Sequence, residues 1–60
     1  MKSAGRWVQV VRDRNDRNPT IRMLHIDRRG RECVRYERQW RLVEKISRPD
    51  RVTYVLGGML

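Results

Sequence analysis

The sequence predicts a mainly β domain: a small barrel or sheet of four to five short antiparallel strands, with one short helical turn near residues 36–44. Three observations lead there. The chain has 60 residues, which allows one domain. Turn signals divide it evenly, with "RNDRNP" at 14–19, "DRRG" at 27–30, "SRPD" at 47–50 and "GG" at 57–58. β-branched residues lie between them, the pattern of a small all-β fold.

The first segment, "RWVQVV" (6–11), is rich in strand formers. Period 2 puts Trp7, Gln9 and Val11 on one face and Val8 and Val10 on the other. The second, "TIRMLHID" (20–27), mixes parities: Ile21 and Met23 alternate with Arg22, then Leu24 and Ile26 switch. A helix is the alternative, since Asn18 suits an N-cap, Pro19 the first helical position and Gly30 a C-terminal cap. A strand is preferred, because Ile21, Leu24 and Ile26 do not gather on one helical stripe.

The stretch "RECVRYERQWRLVEKI" (31–46) satisfies two periods. With period 2, Val34, Tyr36, Trp40, Leu42 and Ile46 share a face; with period 3.6, Cys33, Tyr36, Trp40 and Val43 line a stripe. A strand of that length is unusual. The reading therefore splits it: 31–35 complete the hairpin begun at Thr20, and 36–44 form the helical turn, with Trp40 and Val43 facing the core. Glu37 and Arg41, four apart, fit that helix. "RVTYVL" (51–56) follows the proline turn as the last strand, and residues 1–4 and 57–60 are expected as frayed ends.

A glycine followed by "WVQV", a central hairpin, "G-R-E-C-V-R", and large apolar residues three apart (Trp40, Val43) resemble short phage and prophage-encoded SH3-like proteins of uncharacterised function. The resemblance covers residues 5–46. Those proteins carry phenylalanines in a helical turn where this chain has tryptophan and valine, and they often lack the strand at 51–56. The resemblance implies an SH3-like barrel and a phage-type origin, and it brings no catalytic residues.

Composition narrows the function. Apolar residues are 38% and charged residues 37%, so the core is small and a partner can add to stability. No apolar run approaches the roughly 20 residues that cross a bilayer. The start, Met1 to Arg6, lacks the apolar centre of a signal peptide, so a cytoplasmic protein of a bacterial host cell is expected. The single cysteine, Cys33, excludes an internal disulfide and multi-thiol zinc sites, and reads as a small buried hydrophobe. The net charge is +8, with 15 Lys+Arg against 7 Asp+Glu, a polyanion binder's footprint. Thirteen of the cations are arginine, whose planar fork fits phosphate and guanine edges, though GC-rich codon usage gives the same bias. Residues 1–31 carry nine cations and three anions, +6, against six and four, +2, in residues 32–60. The binding face is therefore expected mainly in the first half.

Catalysis is not expected. The only histidine, His25, reads as a packed or edge residue, and no catalytic residue, metal site or cofactor site is expected. Asp13 and Asp16 lie among Arg12, Arg14 and Arg17 and read as ion-paired. "RRGR" (28–31) carries +3 at a glycine-tipped turn, and Gly30 allows close backbone approach. "DRRGR" is first a turn, and its charge makes it a candidate phosphate contact. The candidate nucleic-acid-binding residues are Arg28, Arg29 and Arg31, with Arg22 and Arg35 extending the patch across strands, Arg12, Arg14 and Arg17 in the first loop, and Trp7 as an exposed stacking ring.

The expected function is a small basic nucleic-acid-binding protein, phage-encoded and regulatory. Duplex DNA is preferred over RNA, because a two-stranded ribbon can enter a major groove. The alternative is an inhibitor or adaptor that binds an acidic surface of a host protein. A homodimer through a free edge of the last strand is slightly preferred to a closed barrel in which that strand pairs with the first.

Overall fold

In the computed structural model, which describes residues 1–60, the turn signals fall between five strands. These are β1 (Lys2–Val11), β2 (Thr20–Ile26), β3 (Glu32–Tyr36), β4 (Gln39–Arg48) and β5 (Arg51–Met59). They close into a barrel in chain order. Each strand runs antiparallel to the next, so the first and fifth point the same way. The closing contact is accordingly parallel, through Val10↔Tyr54 and Val11↔Val55. The closed form thus takes up part of the β5 edge that a two-fold dimer would have used. Residues 20–26 are strand, as preferred over the helix.

Residues 36–44 are not a helical turn. β3 ends at Tyr36 and β4 begins at Gln39, with Glu37 and Arg38 as a two-residue turn at φ 49° and 68°. Positive φ at both positions marks a type I′ turn, whose twist matches that of the flanking strands. The usual Asn-Gly signal is missing, which is why the hairpin reads as a helix in sequence. The turn also swaps parity: Tyr36↔Gln39, Arg35↔Trp40, Val34↔Arg41 and Cys33↔Leu42 are the cross-strand pairs. Val34 and Tyr36 are buried inside, whereas Trp40 shares the opposite face with Arg35. Trp40 is half-buried and is not a core residue. In a strand, residues three apart face opposite ways, so Trp40 and Val43 cannot share the core.

The barrel interior is Val10, Leu24, Val34, Tyr36 and Tyr54, with Val8, Val43 and Leu56 packed against them. Of the two β1 faces, the one carrying Val8 and Val10 points inward. Cys33 is fully buried on the other face of β3, its Sγ 3.0 Å from the Met1 sulfur, and burial pushes its thiol pKa up. Tyr54 ties three strands together: its hydroxyl accepts a hydrogen bond from Arg6 at 3.0 Å and donates to Glu32 at 3.4 Å.

The strands reach into the segments expected to fray: β1 begins at Lys2, and β5 runs through Gly57 and Gly58 to Met59. The Arg41 side chain holds the Gly57 carbonyl at 2.6 and 2.9 Å, beside an irregular step between Arg41 and Val43. A Cβ at Gly57 would lie 3.3 Å from the Leu42 carbonyl oxygen, so glycine lets β5 pass there. A bulge in β1 between Ser3 and Trp7 uses Gly5 at φ 77° and bends the strand. No helix is long and apolar enough to cross a membrane.

Candidate nucleic-acid interface

The two arginine loops are organised by their acids. In "DRRGR", Asp27 accepts the backbone N–H groups of Arg29 at 2.9 Å and Arg31 at 2.8 Å. Its second oxygen takes Arg31 Nε at 2.7 Å, and Gly30 follows at φ 80°. Gly30 N–H closes the turn on the Asp27 carbonyl at 3.0 Å, the arrangement of a type I turn with a glycine bulge. These contacts, led by the Arg31 backbone N–H, hold the Asp27 carboxyl below the usual carboxylate range. The stretch is therefore a turn, as expected. It does not present three free cations: Arg31 is engaged, leaving Arg28 and Arg29.

The loop 12–19 works the same way. Asp16 accepts the Arg12 N–H at 3.0 Å and the Asn18 N–H at 2.9 Å, and Asp13 accepts the Asn15 N–H at 2.8 Å. The Arg12 backbone bond leads in holding the Asp16 carboxyl low. Asp13 and Asp16 form no ion pairs with Arg12, Arg14 or Arg17, contrary to the sequence reading, because short acids in a turn bond nearby backbone. Arg14 instead reaches Glu44 of β4 at 3.4 Å, an exposed pair worth at most about 1 kcal/mol. The neighbouring Tyr36 hydroxyl raises the Arg12 pKa further above its ordinary value.

Arg22 and Arg35 do not extend a patch together. Arg22 lies over the Tyr36 ring at 5.2 Å and Arg35 over the Trp40 ring at 5.5 Å, and these rings stand on opposite faces of their hairpin. Trp7 is 67% exposed, as expected.

The structure brings together a different set. An open groove of about 600 Å³ lies between the loop 12–19 and the outer faces of β1, β4 and β5. Arg14 and Arg17 line one side, Arg48 and Arg51 the other, and Gln9, Val11, Thr53 and Val55 form the floor. Arg17, Arg48 and Arg51 make no ion pair, and Asp16 is the one acid lining the groove. Arg48 and Arg51 are a directly opposed cross-strand pair flanking the Pro49-Asp50 turn. Like charges so placed destabilise a hairpin. A second hollow of about 390 Å³ adjoins it, sharing Gln9 and Arg51 and adding Arg6, Trp7 and Lys45.

Of the residues expected from sequence, the groove gathers Arg14 and Arg17, with Trp7 in the adjoining hollow. Arg28, Arg29 and Arg31 stand at the β2–β3 turn, and no residue of β2 or β3 lines either hollow. Arg48, Arg51, Arg6 and Lys45 were missed, and Arg48 and Arg51 come from the less basic second half. A signal existed for them: "SRPDR" places two arginines symmetrically about a two-residue proline turn, which makes them cross-strand partners. The chain matches no known protein family, no characterised protein and no solved structure.

Proposed function

We propose that this chain is a small basic nucleic-acid-binding protein that grips the phosphate backbone, of the regulatory kind carried by phages and acting in the bacterial cytoplasm. One observation carries the reading. Four arginines from two separate loops converge on one groove, and three of them have no carboxylate partner. A bound phosphate chain relieves their mutual repulsion and releases counterions. Arg28 and Arg29 at the far turn supply a secondary contact. The single histidine, His25, packs edge-on against Trp40 at 4.9 Å between ring centres, away from the groove.

The test is a fluorescence anisotropy titration of labelled oligonucleotides at 50 and 200 mM salt. About four phosphate contacts give a loss of about 50- to 150-fold in affinity over that interval. Arg48→Ala with Arg51→Ala lowers the affinity more than Arg28→Ala with Arg29→Ala, and flattens the salt dependence. Absence of oligonucleotide binding, with capture of an acidic host protein, overturns the proposal in favour of an adaptor or inhibitor.

A further inference from the structure

Three of the four aromatic side chains have partners. Tyr36 lies under Arg22, Trp40 contacts His25 and Arg35, and Tyr54 is buried between Arg6 and Glu32. Trp7 alone is 67% exposed with no ring or cation over it. It lies where the barrel seam opens: β1 pairs with β5 only at Val10 and Val11, and Trp7 stands further back along β1 beside Arg51 and Val52. Arg6, Lys45 and Arg51 line the same hollow, and Gln9 joins it to the arginine groove.

We infer that the combined groove takes single-stranded nucleic acid, with one unpaired base stacked on Trp7 and the adjoining phosphates on Arg48, Arg51, Arg14 and Arg17. The inference rests on the proposed function and names the form of its ligand. An aromatic face beside a cationic groove is the arrangement that holds unpaired bases, because every base offers a flat π-face once it is out of a duplex. A double helix keeps its bases paired and stacked inside, and offers Trp7 backbone and base edges but no free π-face. The two hollows, about 600 and 390 Å³, are each of a size that holds a small ligand. Gln9, between them, offers an amide to a base edge. The hairpin tip at Arg48 and Arg51 forms one wall of this concave site.

The experiment compares labelled oligo-dT, oligo-rU and a duplex of equal length by anisotropy, with wild type, Trp7→Ala and Trp7→Phe. Circular dichroism confirms that each variant is folded, which the exposure of Trp7 favours. The expected result is single-strand binding at least tenfold tighter than duplex binding. Trp7→Ala costs tenfold or more on the single strand and little on the duplex, and Trp7→Phe restores most of the loss. The two single-stranded arms separate DNA from RNA as the source of the base. Duplex binding as tight as single-strand binding, or Trp7→Ala without effect, overturns the inference and leaves the proposed function standing. Failure of all three probes to bind overturns both.

Discussion

Replacing Glu37-Arg38 by Asn-Gly should stabilise the protein by about 1 kcal/mol. Both residues sit at positive φ, 49° and 68°. A non-glycine residue in that region carries a strain of roughly 1–2 kcal/mol, less for asparagine. Glycine at 38 relieves it but returns about 0.4–1 kcal/mol through the freer unfolded chain. Asparagine at 37 relieves part of the rest. The exchange removes one anion and one cation, so the net charge stays +8. Neither side chain makes an ion pair that would be lost. A domain of this size unfolds with an entropy of about 0.13 kcal/mol/K, so 1 kcal/mol raises Tm by about 8 °C. Differential scanning calorimetry reads that shift directly. Gly30→Ala is the mirror experiment: Gly30 sits at φ 80° and an added methyl would meet nothing within 4 Å, so its cost is backbone strain alone and Tm falls by a similar amount. A Tm that stays or falls with Asn-Gly refutes the assignment of strain to this turn.

Arg48→Ala with Arg51→Ala should weaken oligonucleotide binding and at the same time raise Tm slightly, since it removes a like-charge cross-strand pair; a fall in Tm would show that the pair supports the fold. Asp16 and Asp27 have folded pKa values below their unfolded ones, so their stabilisation is present above the unfolded value of about 4 and is lost as pH falls through the folded values. Thermal melts of wild type between pH 6 and pH 2 should therefore drop on the acid side, and Asp16→Asn with Asp27→Asn should flatten that drop. Trp40→Ala should remain folded, losing about 1–2.5 kcal/mol from one edge-on aromatic contact and one cation–π contact. Leu24→Ala, at a fully buried position, should cost about 2–5 kcal/mol and leave the chain largely unfolded in urea titrations.

The strands were legible where hydrophobic pattern and turn chemistry agree. "RWVQVV" alternates cleanly, "DRRGR" has its glycine where the turn needs positive φ, and Pro49-Asp50 separates β4 from β5. The turn at Glu37-Arg38 was hidden, because its geometry is imposed by pairing of the flanking strands against the preference of its own residues. Missing that turn misplaced Trp40, since a two-residue turn reverses which numbers point inward. Gly57-Gly58 reads as a chain end, yet glycine there is what lets β5 pass close to Leu42. Among the candidate binding residues, local charge density pointed to Arg28, Arg29 and Arg31. It could not show that Asp27 occupies one of them, nor that barrel closure sets Arg48 and Arg51 opposite Arg14 and Arg17. The first is set by the side-chain geometry of one turn, and the second depends on contacts between residues distant in sequence.

The parallel seam bears on how the chain folds and breathes. Every other backbone strand pairing joins consecutive strands, which can zip from their own turns. The seam alone joins Val10 to Tyr54 and Val11 to Val55, across three intervening strands and with two residue pairs. Long-range contacts bear the largest loop-closure cost and form late in folding. The seam is as short as the two-pair β2–β3 ladder but has no turn to hold it, so its amides should exchange with solvent ahead of those in the β4–β5 hairpin. The groove spans that joint, with Arg14 and Arg17 in the loop that follows β1 and Arg48 and Arg51 at the β4–β5 turn. Under the proposed function, an anion held between them would act as a clasp on the barrel, stabilising the closed form by RT ln(1 + c/Kd), where c is its free concentration.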